Sequence, residues 1–333
     1  MTHRLSIGFD WQGNKDRNAA FERVRIAEDA GVDTVFTSEA WGQDAFTWLA
    51  LLADRTKRVN LGTSIVNYYS RTPAALAQHF ATLDELSEGR MIIGLGASSA
   101  NVIEHFHGIP FNPTLARMRE TIDIINMLVA EQPLYYKGKW FDLQRGFTLR
   151  FKTYRPHIPI YVASFRPRAV KVVAEVADGW IPMMTPLDQM RKATVAFRAH
   201  AAEMGRDPSA LTVCSNGGVV VAKDREKARA DGKARLAFYI ARMGDYYYQQ
   251  ICDMGFKDEA DTVRKAWAES GSKAAYAAVP DHLLDALGAY GSVEECRDRL
   301  QAEQEAGIDL HRVAVQGAES AVEEGRLLEQ LAK

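Results

Sequence analysis

The feature that most constrains this chain is the alternation of short β-rich runs with longer helical patterns along most of its length. Between the β-rich runs, apolar side chains recur at the helical period of about 3.6 residues. The short runs predict eight strands, over Arg4–Asp10, Asp33–Ser38, a stretch that starts at Leu61, Met91–Leu95, Ile158–Ala163, Gly179–Met183, Leu211–Ala222 and Leu310–Val315. The intervening patterns predict helices over Asn18–Ala30, Phe46–Asp54, Pro73–Leu86, Thr114–Val129, Pro167–Ala177, Leu187–Met204, Val293–Ala306 and the last residues up to Lys333.

Two insertions interrupt this alternation. Residues 133–157 predict a hairpin, and residues 223–290 are helix-rich and predict a helical excursion that covers one face. Eight strands, each followed by a helix, favour the α/β class and a (β/α)8 TIM barrel over a doubly wound sheet. A dinucleotide-binding sheet would carry a glycine fingerprint after the first strand, and Asp10–Lys15 lacks it. We therefore expect a single TIM-barrel domain over residues 1–333.

Composition and charge exclude several classes of protein. The 333 residues are 47% hydrophobic and 25% charged, which suits a globular core, and the formal net charge of -2 gives no footprint for nucleic acid or an anionic membrane. No apolar run reaches the ~20 residues that span a bilayer, and the first residues lack a signal-length apolar segment, so we expect a cytoplasmic protein. Cys214, Cys252 and Cys296 are far apart and His105 and His107 lack a third ligand, so no metal site is expected.

In a TIM barrel the active site lies at the C-terminal ends of the strands. In this chain those ends are rich in small residues and aromatics, with single carboxylates among them. Small residues let a flat ligand approach backbone amides, and aromatic side chains can line its faces. The candidate site residues at these ends are Asp10, Trp11, Glu39, Trp41, Thr63, Ser64, Ile65, Tyr68, Gly94, Gly96, Ser98, Ser164, Phe165 and Arg166.

The turn Ser164–Pro167 is a candidate seat for a phosphate group. It puts a hydroxyl and a guanidinium where a predicted helix begins, and a helix N-terminus offers free N–H groups and a positive dipole end. Together with the small and aromatic residues, this turn suits a phosphorylated planar cofactor.

Each candidate also has a purely structural interpretation. Gly94 and Gly96 can serve a tight turn. Asp10 and Glu39 can be helix caps or solvated salt-bridge partners, and Arg166 can pair at the surface. Residue types and spacing alone leave these alternatives open.

Four segments of the sequence form a recognisable set: Gly62–Ile65, Arg71–Ala74, Thr82–Arg90 and Gly94–Gly96. Together they resemble the bacterial luciferase-like superfamily of flavin and deazaflavin enzymes. Within that superfamily, Glu39–Ala45 and Leu83–Arg90 are most similar to the branch that uses the deazaflavin coenzyme F420, which includes methylenetetrahydromethanopterin reductase. The segment Gly291–Cys296 also fits, so the similarity covers nearly the whole chain.

The resemblance implies a TIM barrel whose third strand bulges around a non-prolyl cis peptide that supports the back of the cofactor ring. In this sequence the bulge corresponds to Thr63–Ile65, and its cis peptide corresponds to the bond between Ser64 and Ile65. Gly94, Gly96 and Ser98 match the loop that runs along the cofactor, and the Ser164–Pro167 turn matches the phosphate loop.

The resemblance also has two departures. Many deazaflavin enzymes carry Asp-His after the second strand, where this chain has Ser38–Glu39, so Glu39 can replace the usual acid or base or have another task. The phosphate loop of relatives is rich in glycine, whereas Phe165 and Arg166 stand here. Asp10 matches the strand-one carboxylate of the reductase, near the reacting carbon.

We therefore expect an oxidoreductase that transfers a hydride between coenzyme F420 and a small organic substrate of the carbonyl, alcohol, imine or methylene-pterin type. Glu39 or Asp10 would donate or accept the proton, and Trp11, Trp41 and Tyr68 would shape the substrate pocket. One alternative is an FMN-dependent monooxygenase, and a second is a non-catalytic flavin-binding barrel. Relatives are commonly homodimers, and we expect the same here.

Overall fold

The fold is known from a computed structural model, which describes residues 2–9, 16–112, 115–215 and 217–333. The strands are β1 Leu5–Gly8, β2 Thr34–Thr37, β3 Asn60–Thr63, β4 Val66–Asn67, β5 Met91–Gly96, β6 Leu134–Lys137, β7 Asp142–Phe147, β8 Ile160–Ala163, β9 Gly179–Ile181, β10 Thr212–Val213, β11 Val219–Ala222, β12 Ala289–Gly291 and β13 His311–Gln316. The helices are α1 Arg17–Asp29, α2 Ala45–Arg55, α3 Pro73–Leu86, α4 Ala100–His105, α5 Leu115–Val129, α6 Pro167–Val176, α7 Leu187–Glu203, α8 Arg225–Arg242, α9 Asp245–Asp253, α10 Lys257–Ser270, α11 Ser272–Ala278, α12 Asp281–Leu287, α13 Val293–Glu305 and α14 Ala321–Ala332.

The main sheet is parallel and curls into a ring. Its neighbours run in the order β10, β9, β8, β5, β3, β2, β1 and β13, and each of these pairs is parallel. A bridge between Cys214, directly after β10, and Leu310, directly before β13, closes the ring. The described residues thus form eight positions around a barrel with helices outside, which confirms the predicted TIM-barrel fold.

The two predicted insertions are present. β6 and β7 pair antiparallel as a hairpin, with Lys137 opposite Asp142. The helices α8 to α12 form the excursion between β11 and β12. The antiparallel hairpin lies outside the parallel ring, so it adds to the barrel without changing the strand order.

The prediction of one strand over Leu211–Ala222 was wrong. The segment forms two strands, β10 and β11, which pair with different neighbours: β10 with β9, and β11 with β12 and β13. Gly217 and Gly218 between them have φ angles of +91° and +105°, in a region that residues with a Cβ rarely adopt. These two glycines interrupt the strand and turn β11 away from β9.

Side-chain caps fix where several helices begin. The Asp16 carboxylate accepts the N–H groups of Asn18 and Ala19 at the start of α1, and Thr72 caps α3 directly before Pro73. At α13, Ser292 and Glu295 form a reciprocal capping box. None of the helices in the described part of the chain combines the length and the apolar character needed to cross a bilayer.

The apolar core has separate parts. One large cluster lies between the strands and the helices that surround the barrel, and it includes Leu49, Phe80 and Ile122. A smaller one fills the barrel around Phe36. The excursion has a cluster of its own, built from α8 to α12. The excursion therefore supplies its own apolar packing and rests against the barrel mouth.

Replacing Glu120 by glutamine is expected to lower the free energy of unfolding by about 1–2 kcal/mol. The buried Glu120 carboxylate accepts the N–H groups of Lys139, Trp140 and Phe141 at 2.8, 2.8 and 3.1 Å, which fixes the hairpin turn to α5. A neutral amide is a weaker acceptor and brings its own donors towards these N–H groups. Urea denaturation measures the effect, with Glu85→Gln on the exposed face of α3 as the matched control. Equal unfolding midpoints for the two variants would contradict the prediction.

Candidate active site

A cavity of about 950 Å³ opens at the C-terminal ends of the strands. This volume lies in the range of small-molecule and cofactor sites. The ends of β1, β2, β5 and β8, the bulge between β3 and β4, and the helices α8 and α9 surround it. The predicted site residues that line the cavity are Glu39, Trp41, Ser64, Ile65, Tyr68, Gly96, Ser98, Ser164 and Phe165.

The other predicted site residues lie elsewhere. Thr63 and Gly94 are buried behind the cavity wall, and Arg166 lies at the start of α6 without lining the cavity. Asp10 and Trp11 lie outside the described residues. Among the residues that the structure does describe, no group of three or more His, Cys, Asp or Glu side chains could hold a metal ion.

The cavity wall between β3 and β4 contains the predicted cis peptide. The peptide bond between Ser64 and Ile65 is cis, although no proline takes part in it. The Ser64 N–H donates to the Thr37 carbonyl at 2.7 Å, and the Ser38 hydroxyl donates to the Ser64 carbonyl at 2.9 Å. The end of β2 thus holds the bulge in place and turns the Ile65 side chain towards Gly96.

Gly96 leaves room for the bulge to pack against β5. A Cβ at this position would lie 2.8 Å from the Cδ1 atom of Ile65, closer than apolar atoms pack. Tyr68, which follows the bulge, is buried and stacks on Tyr69 with ring centroids 5.1 Å apart. Burial raises the pKa of Tyr68 well above its usual value, so the phenol stays neutral.

Glu39 lines the cavity with its carboxylate engaged on both oxygens. Arg71 donates to both of them, and the N–H of Ala45 donates to Oε2 at 3.1 Å. Arg71 also pairs with Asp44 at 3.0 Å and stacks on the Phe46 ring, 4.6 Å from its centroid. These contacts fix the position of the carboxylate at the start of α2.

The start of α6 faces the excursion. Its N-cap residue, Arg166, makes no side-chain cap hydrogen bond, so the helix dipole is not offset by a capping side chain. The Arg166 guanidinium pairs with Asp253 of α9 at 2.7 Å and lies 5.0 Å from the ring centroid of Tyr246. Phe165 packs on the same ring at 4.6 Å. The excursion therefore closes over the predicted phosphate turn.

Several lining residues were not among the predicted site residues. The excursion contributes Tyr239, Tyr246 and Tyr247, whose helical spacing resembles ordinary packing. Arg312 of β13 and Arg235 of α8 also line the cavity. A charged residue inside the apolar strand pattern after Leu310 is the signal that could have revealed Arg312.

The chain is similar in sequence to a known family and to individual proteins of known description. The family model for luciferase-like monooxygenases matches residues 7–310. A protein of Mycobacterium tuberculosis described as a coenzyme F420-dependent oxidoreductase is 35% identical over 340 residues, and the match covers 95% of each chain. The 5,10-methylenetetrahydromethanopterin reductase of Archaeoglobus fulgidus is 28% identical, over 86% of each chain.

A solved structure supports the fold independently. The coenzyme F420-dependent tetrahydromethanopterin reductase of Methanopyrus kandleri superposes with a TM-score of 0.83 at 21% identity. The superposition covers 100% of this chain and 97% of that one. At this identity the likeness concerns the fold.

Proposed function

Because this chain belongs to the luciferase-like monooxygenase family, we propose that it is an oxidoreductase that transfers a hydride between coenzyme F420 and a small organic substrate. The observation that carries the proposal is the cavity at the strand ends, which has the cis Ser64–Ile65 bulge on one side and the uncapped start of α6 at its edge. The F420-dependent relative that matches 95% of this chain supports the choice of cofactor. The proposed substrates are carbonyl, alcohol, imine or methylene-pterin compounds. The enzyme would act on their CH–NH, CH–OH or C=C groups.

The described residues fit a phosphorylated tricyclic cofactor. The cavity is large enough for the ring, and Ile65, Gly96 and Ser98 would border it. Ser164 and the start of α6 would take the phosphate, because no side chain caps that helix end. When bound, the deazaflavin supplies the carbon that accepts or gives the hydride.

The protein's own contribution is to orient the substrate, exclude water and hold a proton. Trp41 and Tyr68 would border the substrate, and the tyrosines of α8 and α9 would shield it from solvent. We assign Glu39 the role of proton acceptor, since its carboxylate lines the cavity and Arg71 holds both of its oxygens in place. Asp10, which its sequence match alone supports, is the other candidate for the residue that donates or accepts the proton.

The proposal also covers the domain organisation, the oligomeric state and the cellular location of the protein. The whole chain, residues 1–333, would act as one luciferase-like domain, and the active form would be a homodimer in the cytoplasm. We expect a dimer because relatives are commonly homodimers. Sedimentation velocity of the purified protein tests this expectation, and a single species at the monomer mass would contradict it.

Cofactor titration tests the proposed function. We expect oxidised F420 to bind with loss of its fluorescence, and FMN to bind at least about tenfold more weakly. The family model is that of monooxygenases, which is why FMN is the second candidate. Binding of FMN without binding of F420 would replace the proposed reaction by FMN-dependent oxygenation, and binding of neither would contradict both.

Replacing Arg166 by alanine is expected to weaken F420 binding about tenfold, by 1.4 kcal/mol. The loss follows from removal of a cation beside the start of α6, although Asp253 already shares that charge. The same fluorescence titration measures it. Lys171→Ala, exposed one turn further along α6, is the control and should bind as the wild type does. Equal affinity of the two variants would remove Arg166 from the phosphate site.

A further inference from the structure

Arg312 is a cation placed inside the barrel. It stands in β13 between the buried residues His311 and Val313, and its side chain lines the cavity. The chain makes room for it at the end of β1, since a Cβ on Gly8 would lie 2.8 Å from Nη2 of Arg312. The guanidinium therefore occupies a place that the neighbouring strand leaves open.

Within the described residues, no carboxylate pairs with the Arg312 guanidinium. Its neighbours there are the Phe36 ring, with the centroid 5.3 Å away, and Cys214. Burial raises the pKa of the Cys214 thiol to about 12, so this thiol is neutral and does not offset the charge. Burial lowers the pKa of Arg312 to about 10, which still leaves the side chain charged at neutral pH.

A second arginine faces the same part of the cavity. Arg235 comes from α8, and its positive charge adds to the cost of charging Arg312. Gly217 lies beside it, where a Cβ would be 3.4 Å from Nη1 of Arg235. Two like charges in a partly desolvated place repel, and an anion bound beside the Arg312 guanidinium lowers that repulsion.

We propose that Arg312, together with Arg235, binds the carboxylate of an organic-acid substrate on the β13 side of the cavity. A guanidinium offers two parallel N–H groups that match the two oxygens of a carboxylate. In the sheet, β13 is separated from β3 by β2 and β1, so Arg312 faces the proposed cofactor wall from another side. The binding of an acid at Arg312 does not depend on the proposed function; only the identification of that acid as the substrate rests on it.

Ligand-observed NMR on the full-length protein without cofactor tests the site. The probes are acetate, benzoate and 3-phenylpropanoate, each compared with its uncharged amide. We expect at least one acid to bind tenfold or more tightly than its amide, and Arg312→Met to abolish that difference. Arg312→Lys keeps the positive charge but lacks the two parallel N–H groups of a guanidinium. It should therefore retain part of the preference for the acid over its amide that Arg312→Met abolishes. Arg145→Met, on the exposed face of the hairpin, is the control and should bind as the wild type does.

Two further readouts separate this inference from a structural or cofactor-binding role. The unfolding temperature of Arg312→Met should equal or exceed that of the wild type, because the variant removes a partly buried charge that no carboxylate of the described residues pairs with. Its affinity for oxidised F420 should stay within about twofold of the wild type. Equal binding of acids and amides, tighter binding of inorganic phosphate than of the acids, or loss of F420 affinity in Arg312→Met would each overturn the inference. Failure of F420 to bind the wild type would instead overturn the proposed function and leave the acid site standing.

Discussion

Replacing Gly94 by alanine is expected to lower the free energy of unfolding by at least about 3 kcal/mol. Gly94 stands in β5 directly against the end of β3, and a Cβ there would overlap the backbone carbonyl oxygen of Thr63. The strands cannot separate freely, because the Thr63 hydroxyl donates to the Gly94 carbonyl at 2.7 Å and accepts the Gly94 N–H at 2.9 Å. Urea denaturation followed by far-ultraviolet circular dichroism measures the change.

Gly96→Ala is the matched control in the same strand. Its Cβ would meet the end of the Ile65 side chain, which can rotate, instead of a backbone atom. We expect a loss below about 1.5 kcal/mol and, on the proposed function, weaker F420 binding. An equal loss of stability in both variants would show that contact with the backbone is not the cause.

Replacing Glu39 by glutamine is expected to lower kcat for hydride transfer about 100-fold, which corresponds to 2.7 kcal/mol of transition-state stabilisation. The substitution keeps the shape of the side chain but removes the charge that can accept a proton. Stopped-flow oxidation of reduced F420, with the best substrate from a carbonyl and imine panel, measures the rate.

Asp44→Asn separates a chemical role of Glu39 from a structural one. Asp44 is the other carboxylate on Arg71, and asparagine still caps α2, so this variant disturbs the same ion pair away from the cavity. We expect its kcat to stay within about threefold of the wild type. An equal fall in both variants would reduce Glu39 to a partner of Arg71. Wild-type rates in both Glu39→Gln and Asp10→Asn would contradict any role of these carboxylates.

Much of the fold follows from local patterns. The Pro73–Leu86 helix was predicted to the residue because Thr72 and Pro73 mark its start and an apolar stripe marks its length. The break in the predicted strand Leu211–Ala222 was missed because its apolar run continues on both sides of the glycines. Only the pairing partners, β9 on one side and β12 on the other, show that the segment divides. Such pairing depends on residues far along the chain.

The site was predictable where one strand end supplies the residue. Ser64, Ile65 and Gly96 line the cavity because consecutive strands end at the same edge. Thr63 precedes the bulge and points into the buried layer, since neighbouring residues in a strand face opposite sides. Arg235 was beyond sequence reasoning, because the packing of the excursion on the barrel brings it to the cavity.

The separate apolar cluster of the excursion has a consequence for how such enzymes diverge. Leu236, Ile251 and Val263 pack among themselves, apart from the cluster that holds the barrel helices. Substitutions on the cavity side of α8 can accumulate without loosening the bulge at Ser64–Ile65, whereas α9 also contacts the start of α6 through Asp253 and Tyr246. On the proposed function, natural selection can exchange one substrate for another while the machinery that holds the coenzyme is inherited unchanged.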